Sequence, residues 1–581
     1  MTVDQILILG LLLGMLVVFA GDWFRVEIVA LVGLATAVLL QLVPLDQAFS
    51  GLANPAVITV LEILLIVEVL KASRLLDGVG AMLSRLFRRP HRVALVLCMV
   101  GALLSTVMNN IGAFSLMLPI VFVLSRRHHI PQRLLVMPLS FATLMGGMCT
   151  VVGTPPNLLV SEALQKASGE SFRFLDFLPT GLAISLVGLV LLVWWSQRIL
   201  QSGQTEEDEE SEPIGHRMVT EIVCPLAGRE PVTLAHVEAM IDGTISSAVR
   251  GDRRLFPLKQ ETELVPGDRL LVEADDLALR EAFAAGNLAP ARTSAALSDQ
   301  MQLQAAIMPY SILQGSVIAN IGEFAERAIE VVGVSTQSPR LEGSLDDFRL
   351  SVGDILHLEG QPEALQQAVT NCGLVTVVAT GGPIIARKQS FLTSAIFLAG
   401  LLAAAFGGIP PEIAYGMVLI CYLVTGLLDL REALSRLNWP IILLLVAMLP
   451  LGEAVANTGA AATIAKALFA ALPFASASLI TFIMLALAVG ITPFVNNATT
   501  AVVLAPIAIE LSDKADLPPA MLLMAVAIGA SCDFLTPFGH HNNVLAYALG
   551  PYRFREFFAV GWPVTLATLL VGTLTCLIVW G

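Results

Sequence analysis

Two blocks of long apolar runs, residues 1–197 and 389–581, flank a middle block at 200–385 where polar and apolar residues alternate. A helix needs about 20 largely apolar residues to cross a bilayer. The first block offers such runs at 5–20, 28–43, 56–70, 134–165 and 177–195, with an odd stretch at 93–124. The last block offers 390–406, 412–428, 439–455, 519–550 and 557–580, with an odd stretch at 477–510. The same order in both blocks predicts an internal repeat. Only 14% of the residues are charged and the mean hydropathy is +0.78, against about 25% charged in soluble domains. The bilayer is the expected solvent, and an ordinary soluble enzyme is disfavoured.

Polar residues inside the apolar runs recur in matched order. Val107-Met108-Asn109-Asn110 precedes Leu118-Pro119, and Phe494-Val495-Asn496-Asn497 precedes Ala505-Pro506 at the same spacing. Gly153-Thr154-Pro155-Pro156-Asn157 matches Leu535-Thr536-Pro537, with Asn542 reached after a three-residue insertion. Glu68 stands five residues before Ser73 as Glu453 does before Thr458, and Phe174-Leu175-Asp176-Phe177 pairs with Phe554-Arg555-Glu556-Phe557.

The basic residues orient the chain. Lys71, Arg74, Arg85, Arg88, Arg89 and Arg92 precede the stretch 93–124, and Arg126, Arg127 and Arg133 follow it. Both flanks are then cytoplasmic, so this stretch reads as a re-entrant hairpin with Asn109-Asn110 near its tip. The stretch 477–510, flanked sparsely by Lys466 and Lys514, opens to the outside, and Arg387-Lys388, Arg431, Arg436, Arg553 and Arg555 fall inside. The fold class is therefore a polytopic α-helical membrane protein: an inverted repeat of five spans plus one re-entrant hairpin each, with an inserted cytoplasmic α+β tandem domain. Its parts are membrane repeat 1 at 1–197, an acidic linker at 198–212 carrying the run Glu206 to Glu212, two modules at 213–295 and 296–385, and membrane repeat 2 at 386–581. Both termini fall outside and residues 198–389 inside, in an inner (plasma) membrane protein. The hairpins meet tip to tip. The N-terminus lacks a basic leader, so its apolar run is expected to be retained.

Four breaks interrupt the apolar segments: Ser105 to Gly112, Cys149 to Asn157, Thr492 to Thr500 and Ser531 to Asn543. Backbone that leaves the helix at membrane depth must be satisfied by protein, water or ligand. In transporters, half-helix N-termini face anions and unwound carbonyls hold the coupling cation. Asparagine carries both donors and an acceptor without a net charge. Asn109, Asn110, Asn157, Asn496, Asn497, Thr499, Thr536, Pro537 and Asn542 are the candidate substrate-binding residues. Ser105, Asn110, Gly153, Thr154, Thr492, Asn497, Ser531 and Asp533 are the candidate cation ligands. Asp533 reads equally as a cation or proton ligand and as a helix cap. His540 and His541 read either as oxyanion donors or as loop residues bonded to backbone. Glu68 and Glu453 read either as coupling residues or as members of structural ion pairs.

At these residues the chain resembles the divalent anion–sodium symporter family of the ion-transporter superfamily. The family's Ser-Asn-Thr triplet falls on Asn109-Asn110-Ile111 and Asn496-Asn497-Ala498, so only its Asn is kept; Gly153 to Asn157 is also typical. The resemblance implies Na⁺-coupled symport of dicarboxylates or sulfate-like dianions by an elevator movement in a homodimer, with H⁺ as the other coupling ion and no cofactor. The middle block resembles paired RCK-C (TrkA-C) regulatory modules at Leu264 to Glu273 and Leu350 to Glu359. A small regulatory ligand at 213–385 and a purely dimer-building role both remain open. Related folds leave Na⁺/H⁺ antiport and arsenite export as alternatives, and a membrane-anchored sensor is the alternative of another class. No Walker motif, nucleophile elbow or His-Glu-x-x-His is present, which points to secondary transport rather than catalysis. The seven Cys form no CxxC, which argues against a zinc site. No basic stripe suggests nucleic acid.

Overall fold

The computed structural model describes all residues except 21–23, 73–89, 129, 203–216, 224–231, 252, 276–277, 280–281, 284–287, 292–300, 310, 337–343, 381–386, 436, 438, 472–475 and 551. Ser73, Arg74, Arg85, Arg88, Arg89, His129, Arg436 and the acidic run Glu206 to Glu212 lie outside the described residues, as do the side chains of Lys71, Arg126 and Arg127. The chain divides into two compact units, one of 1–202, 385–544 and 552–581, the other of 203–384 with 545–551.

The first unit is helical. Its N-terminal part holds α1 (Val3–Ala20), α2 (Val26–Leu39), α3 (Pro55–Ala72), α4 (Pro90–Ser105), α5 (Asn110–His128), α6 (Arg133–Gly147), α7 (Pro155–Ser168) and α8 (Leu178–Ser202). Three helices of the other unit follow: α9 (Leu234–Ile241), α10 (Gly322–Glu326) and α11 (Pro362–Asn371). The helical unit resumes with α12 (Arg387–Phe406), α13 (Pro411–Val424), α14 (Leu430–Ser435), α15 (Trp439–Asn457) and α16 (Ala460–Ala471). It closes with α17 (Ala477–Val495), α18 (Asn497–Ala515), α19 (Pro519–Ser531), the start of α20 (His541–Leu549), whose residues from 545 count with the other unit, and α21 (Phe554–Trp580). The short α16 was not among the spans expected from sequence.

Burial sorts these helices. Every residue of α6 is buried, and α19 is buried from Met521 to Ser531. Around them pack α4 and α8 on one side, α17, α18 and α7 on the other. The outer helices instead expose apolar side chains. On α21, Phe554, Phe558, Trp562, Leu566, Leu570, Leu574 and Ile578 are all exposed, four apart, a row that winds slowly around the helix at about 40° per step. Away from this row Phe557, Val560, Val564 and Cys576 are buried. An apolar row exposed over seven turns suits lipid and not water, and four described helices are long and apolar enough to cross a membrane. The protein is a helical membrane protein.

Pro138 lies inside α6 and cannot bond to the carbonyl of Leu134. Gln197 Nε2 of α8 donates to that carbonyl instead, at 3.2 Å. One residue earlier, the Tyr552 hydroxyl accepts from Met137 N at 2.9 Å and donates to Arg133 O at 2.7 Å. It stands in for the helix bond between the two. The backbone groups freed at the proline are thus satisfied by side chains, Gln197 on α8 and Tyr552 just ahead of α21.

The second unit is built on a sheet in the order β11-β8-β10-β9-β1-β6-β3-β4, with β7 (Ala289–Pro290) paired to β1. Its strands are β1 (Arg217–Val223), β3 (Thr244–Arg250), β4 (Arg253–Arg254), β6 (Arg269–Asp275), β8 (Met301–Ile307), β9 (Glu330–Ser335), β10 (Ile355–Gly360) and β11 (Leu374–Thr380). A separate small ladder joins β2 (Val232–Thr233) to β5 (Glu263–Leu264). Two apolar cores lie along it, one around Ile222, Val237 and Leu270, the other around Phe324, Leu356 and Leu365. The sheet is continuous because β1 and β9 pair at Val219–Val334 and Thr220–Gly333. The two Gly-Asp signatures fold alike. Gly267 and Gly353 both take positive φ, and Asp268 and Asp354 each accept from a backbone N–H three residues back, Val265 at 2.9 Å and Ser351 at 2.7 Å.

Candidate functional site

Each apolar stretch at 93–124 and 477–510 is a helical hairpin whose turn is made by an Asn pair. Asn109 Oδ1 accepts from Ile111 N, and Asn496 Oδ1 from Thr499 N, both at 2.9 Å. These are helix caps, so the first Asn of each pair shapes the turn. Asn496 does so at φ 93°, a backbone conformation Asn tolerates better than most residues. The second Asn of each pair is buried and tied to the arm before it. Ser105 Oγ donates to Asn110 Oδ1 at 2.8 Å, and Thr492 Oγ1 donates to Asn497 Oδ1 at 3.1 Å. The hydroxyl and the Asn stand five residues apart in each case.

The other two breaks interrupt the buried helices, separating α6 from α7 at 148–154 and α19 from α20 at 532–540. One Asn braces each. Asn157 Nδ2 donates to the carbonyls of Gly147 (3.1 Å) and Thr150 (2.8 Å), ten and seven residues back. Asn543 Nδ2 donates to those of Asp533 (2.6 Å) and Thr536 (3.2 Å), again ten and seven back. By this measure the counterpart of Asn157 is Asn543, and no insertion separates the two breaks. The sequence-based pairing with Asn542 is corrected: it was anchored on two Thr-Pro dipeptides that do not correspond. Further matches follow. A Cβ on Gly181 would lie 2.3 Å from Met148 O, and one on Gly561 would lie 1.8 Å from Phe534 O. Asp176 Oδ2 accepts from Arg173 N and Glu556 Oε2 from Arg553 N, both at 2.8 Å.

Asn542 has a different task. Its Nδ2 donates to Asn110 O (3.1 Å) and to Thr143 Oγ1 (2.9 Å), joining the last break to the first hairpin tip and to α6. Thr150 Oγ1 donates to Thr106 O at 2.5 Å, and the single proton of Thr492 Oγ1 is shared between Asn497 Oδ1 and Ala530 O, the latter at 2.8 Å. Among the described residues, each hairpin tip is therefore bonded to the interrupted helices, and no bond joins the tips to each other. Sequence reasoning missed Ser140 and Thr143 on α6. Ser140 Oγ donates to Asn543 Oδ1 at 2.7 Å; the available signal was two hydroxyls in an otherwise apolar helix.

Among the described residues the breaks retain buried polar atoms without partners: Asn157 Oδ1, Asn542 Oδ1, Asn497 Nδ2, Thr499 Oγ1, Ser531 Oγ and both carboxylate oxygens of Asp533. Such atoms are costly unless something binds them. Their chemistry is mixed. The acceptors on Asn157, Asn542 and Asp533 suit a small hard cation, while Asn497 Nδ2 and the hydroxyl of Thr499 can donate to an oxyanion. Four helices, α5, α7, α18 and α20, begin at these breaks, and each N-terminus adds partial positive charge. Gly153, Thr154 and Pro537 lie in the irregular segments themselves. His540 Nδ1 accepts from Asn542 N at 3.1 Å, so that ring is held by its own loop. Glu453 pairs with Lys166, which gives it a structural partner.

The model of the citrate transporter family, CitMHS, matches residues 15–489 and 474–581. An uncharacterized transporter of Synechocystis is 25% identical over 99% of this chain and 97% of its own length. YfbS of Escherichia coli K12, also an uncharacterized transporter, is 26% identical over 98% of both chains. Sodium/sulfate cotransporter 1 of Chlamydomonas reinhardtii is 24% identical over 60% of this chain and 42% of its own.

Proposed function

Since the chain belongs to the citrate transporter family and is a transporter, we propose that it carries a small anion, sulfate-like or a dicarboxylate, by secondary transport coupled to Na⁺. The unpartnered donors and acceptors buried together at the four breaks carry this reading. A cation beside a dianion offsets its charge where the dielectric is low, and the two kinds of orphan atom would receive the two ions. Asn110, Asn497, Thr499 and the α18 N-terminus would hold the anion, while Asn542 Oδ1, an acceptor, would turn to the cation. Ser105, Asn157, Thr492, Ser531 and Asp533, with nearby carbonyls, would hold Na⁺. The relative named a sodium/sulfate cotransporter supports the ion and the substrate class.

The transport cycle in this reading is an elevator movement of the hairpins and interrupted helices in a homodimer. The matched bonds in the two blocks support an inverted repeat, and the matched Gly-Asp turns support a pair of RCK-C-like modules on the cytoplasmic side of the plasma membrane. The test is uptake of labelled sulfate, succinate and citrate into proteoliposomes. Wild type takes up one of these only with an inward Na⁺ gradient. Asn110→Ala and Asn497→Ala remain folded and lose at least 90% of that uptake, on the order of 1.4 kcal/mol per tenfold. Normal uptake in both variants removes the site.

A further inference from the structure

The bonds of Asn157 and Asn543 align the two interrupted helices residue by residue, and they set Asp533 where the first half has Gly147. The two places are chemically unlike. At Gly147 a side chain has no room, since a Cβ would lie 2.2 Å from Asn110 Oδ1. At Asp533 a carboxylate fills the place and is wholly buried. It turns into its own break, lying so close to Gly539 that a Cβ there would meet Oδ2 at 2.2 Å and Oδ1 at 2.3 Å. Among the described residues neither oxygen has a hydrogen-bond partner, and Ser531 Oγ, two residues earlier, is buried and unpartnered as well.

A buried charge persists only when paired. Among the described residues no basic side chain bonds to Asp533, so what neutralises it, Na⁺ or a proton, must come from solution. We propose that the two corresponding cation sites are unequal. Asp533 and Ser531 make the second-half site a charged one that binds Na⁺ before the anion arrives. The neutral first-half site, around Ser105 and Asn157, gains its Na⁺ together with the anion. The inference rests on the Na⁺-coupled reading above and adds an order of binding to it. The physical cause is the net charge of the empty site. With a carboxylate present, Na⁺ is attracted at close range without help; with only neutral oxygens, the anion supplies the attraction.

Thermal unfolding of the purified full-length protein tests this by mass action, with NaCl exchanged for choline chloride at constant ionic strength. Wild type gains stability from Na⁺ with no transported anion present, and gains more when sulfate, succinate or citrate is added. In Asp533→Asn the midpoint of the anion-free Na⁺ titration rises at least tenfold, whereas Gly490→Ala, which has open space around it, leaves that midpoint unchanged. Where Asp533→Asn does not fold, Ser531→Ala, which keeps the charge, shifts the same midpoint upward several-fold. Three results overturn the inference: Na⁺ stabilisation that appears only with an anion, an unchanged midpoint in the Asp533 or Ser531 variant, or stabilisation that follows pH and ignores Na⁺. A failure of the transport reading looks different, because no anion is then taken up under any Na⁺ gradient.

Discussion

Besides Asn542, three pairs of asparagines fill three separate roles at the breaks, and the differences set what their removal does. Asn109 and Asn496 cap helices. Asn110 and Asn497 are held by a hydroxyl on the preceding arm. Asn157 and Asn543 hold two carbonyls each. Asn543 additionally accepts from Ser140, while among the described residues Asn157 Oδ1 has no partner. Asn543→Ala therefore strands one more buried group than Asn157→Ala, at about 1–3 kcal/mol for such a group. In a ligand-free melt Asn543→Ala has the lower midpoint of the two; equal midpoints contradict the asymmetry. In the sheet unit, Glu323 accepts from Asn371 Nδ2 at 2.7 Å and pairs with Arg327. The Asn371 bond, with the Arg327 charge, holds its carboxyl below the usual 4.5. A lowered folded value gives stability that is complete above the unfolded pKa and fades as pH falls through the folded one. Below about pH 4.5 hydrogen exchange near α11 should rise in wild type; Glu323→Gln should be flat across that window.

At the scale of elements, two close approaches hold the interrupted helices in place. Gly181 on α8 and Gly561 on α21 sit against the carbonyls of Met148 and Phe534. Gly561→Ala forces a helix off the second break, so its uptake should fall along with its melting temperature. Gly490 has open space around it, and Gly490→Ala should leave both intact. The proline kink of α6 makes a parallel case. Tyr552→Phe removes the hydroxyl that serves Met137 N and Arg133 O, leaving two backbone groups unsatisfied. It should cost on the order of 1–3 kcal/mol, read as a lower melting temperature with the expressed fraction of inserted protein unchanged.

Across the whole molecule the exposed stripe of α21 faces lipid. An Arg near the middle of such a helix costs about 2.5–3.5 kcal/mol on insertion, so Leu570→Arg should insert poorly while Thr568→Val, on the buried face, inserts normally. The proposed antiparallel arrangement of the blocks has its own check. Single cysteines at 126 and 514 should react with an impermeant reagent from opposite faces, and labelling from one face rules the inversion out.

The apolar period and the polar interruptions lay open in the sequence, because spanning a bilayer demands long runs and leaving the helix demands residues that replace its bonds. Hence the hairpins, the four breaks and the Asn pairs were readable from residue order alone. The short α16 was not, since an Ala-rich segment with Lys466 inside it carries little apolar signal. Nor was the match between Asn157 and Asn543, which is written in which carbonyls each amide reaches across seven and ten residues. The continuous sheet likewise rests on the β1–β9 pairing, a contact between strands more than a hundred residues apart. Most of all, composition could nominate Asp533 but not its isolation: whether a buried carboxylate has a partner depends on every helix packed around it, and that is settled only when the chain has folded.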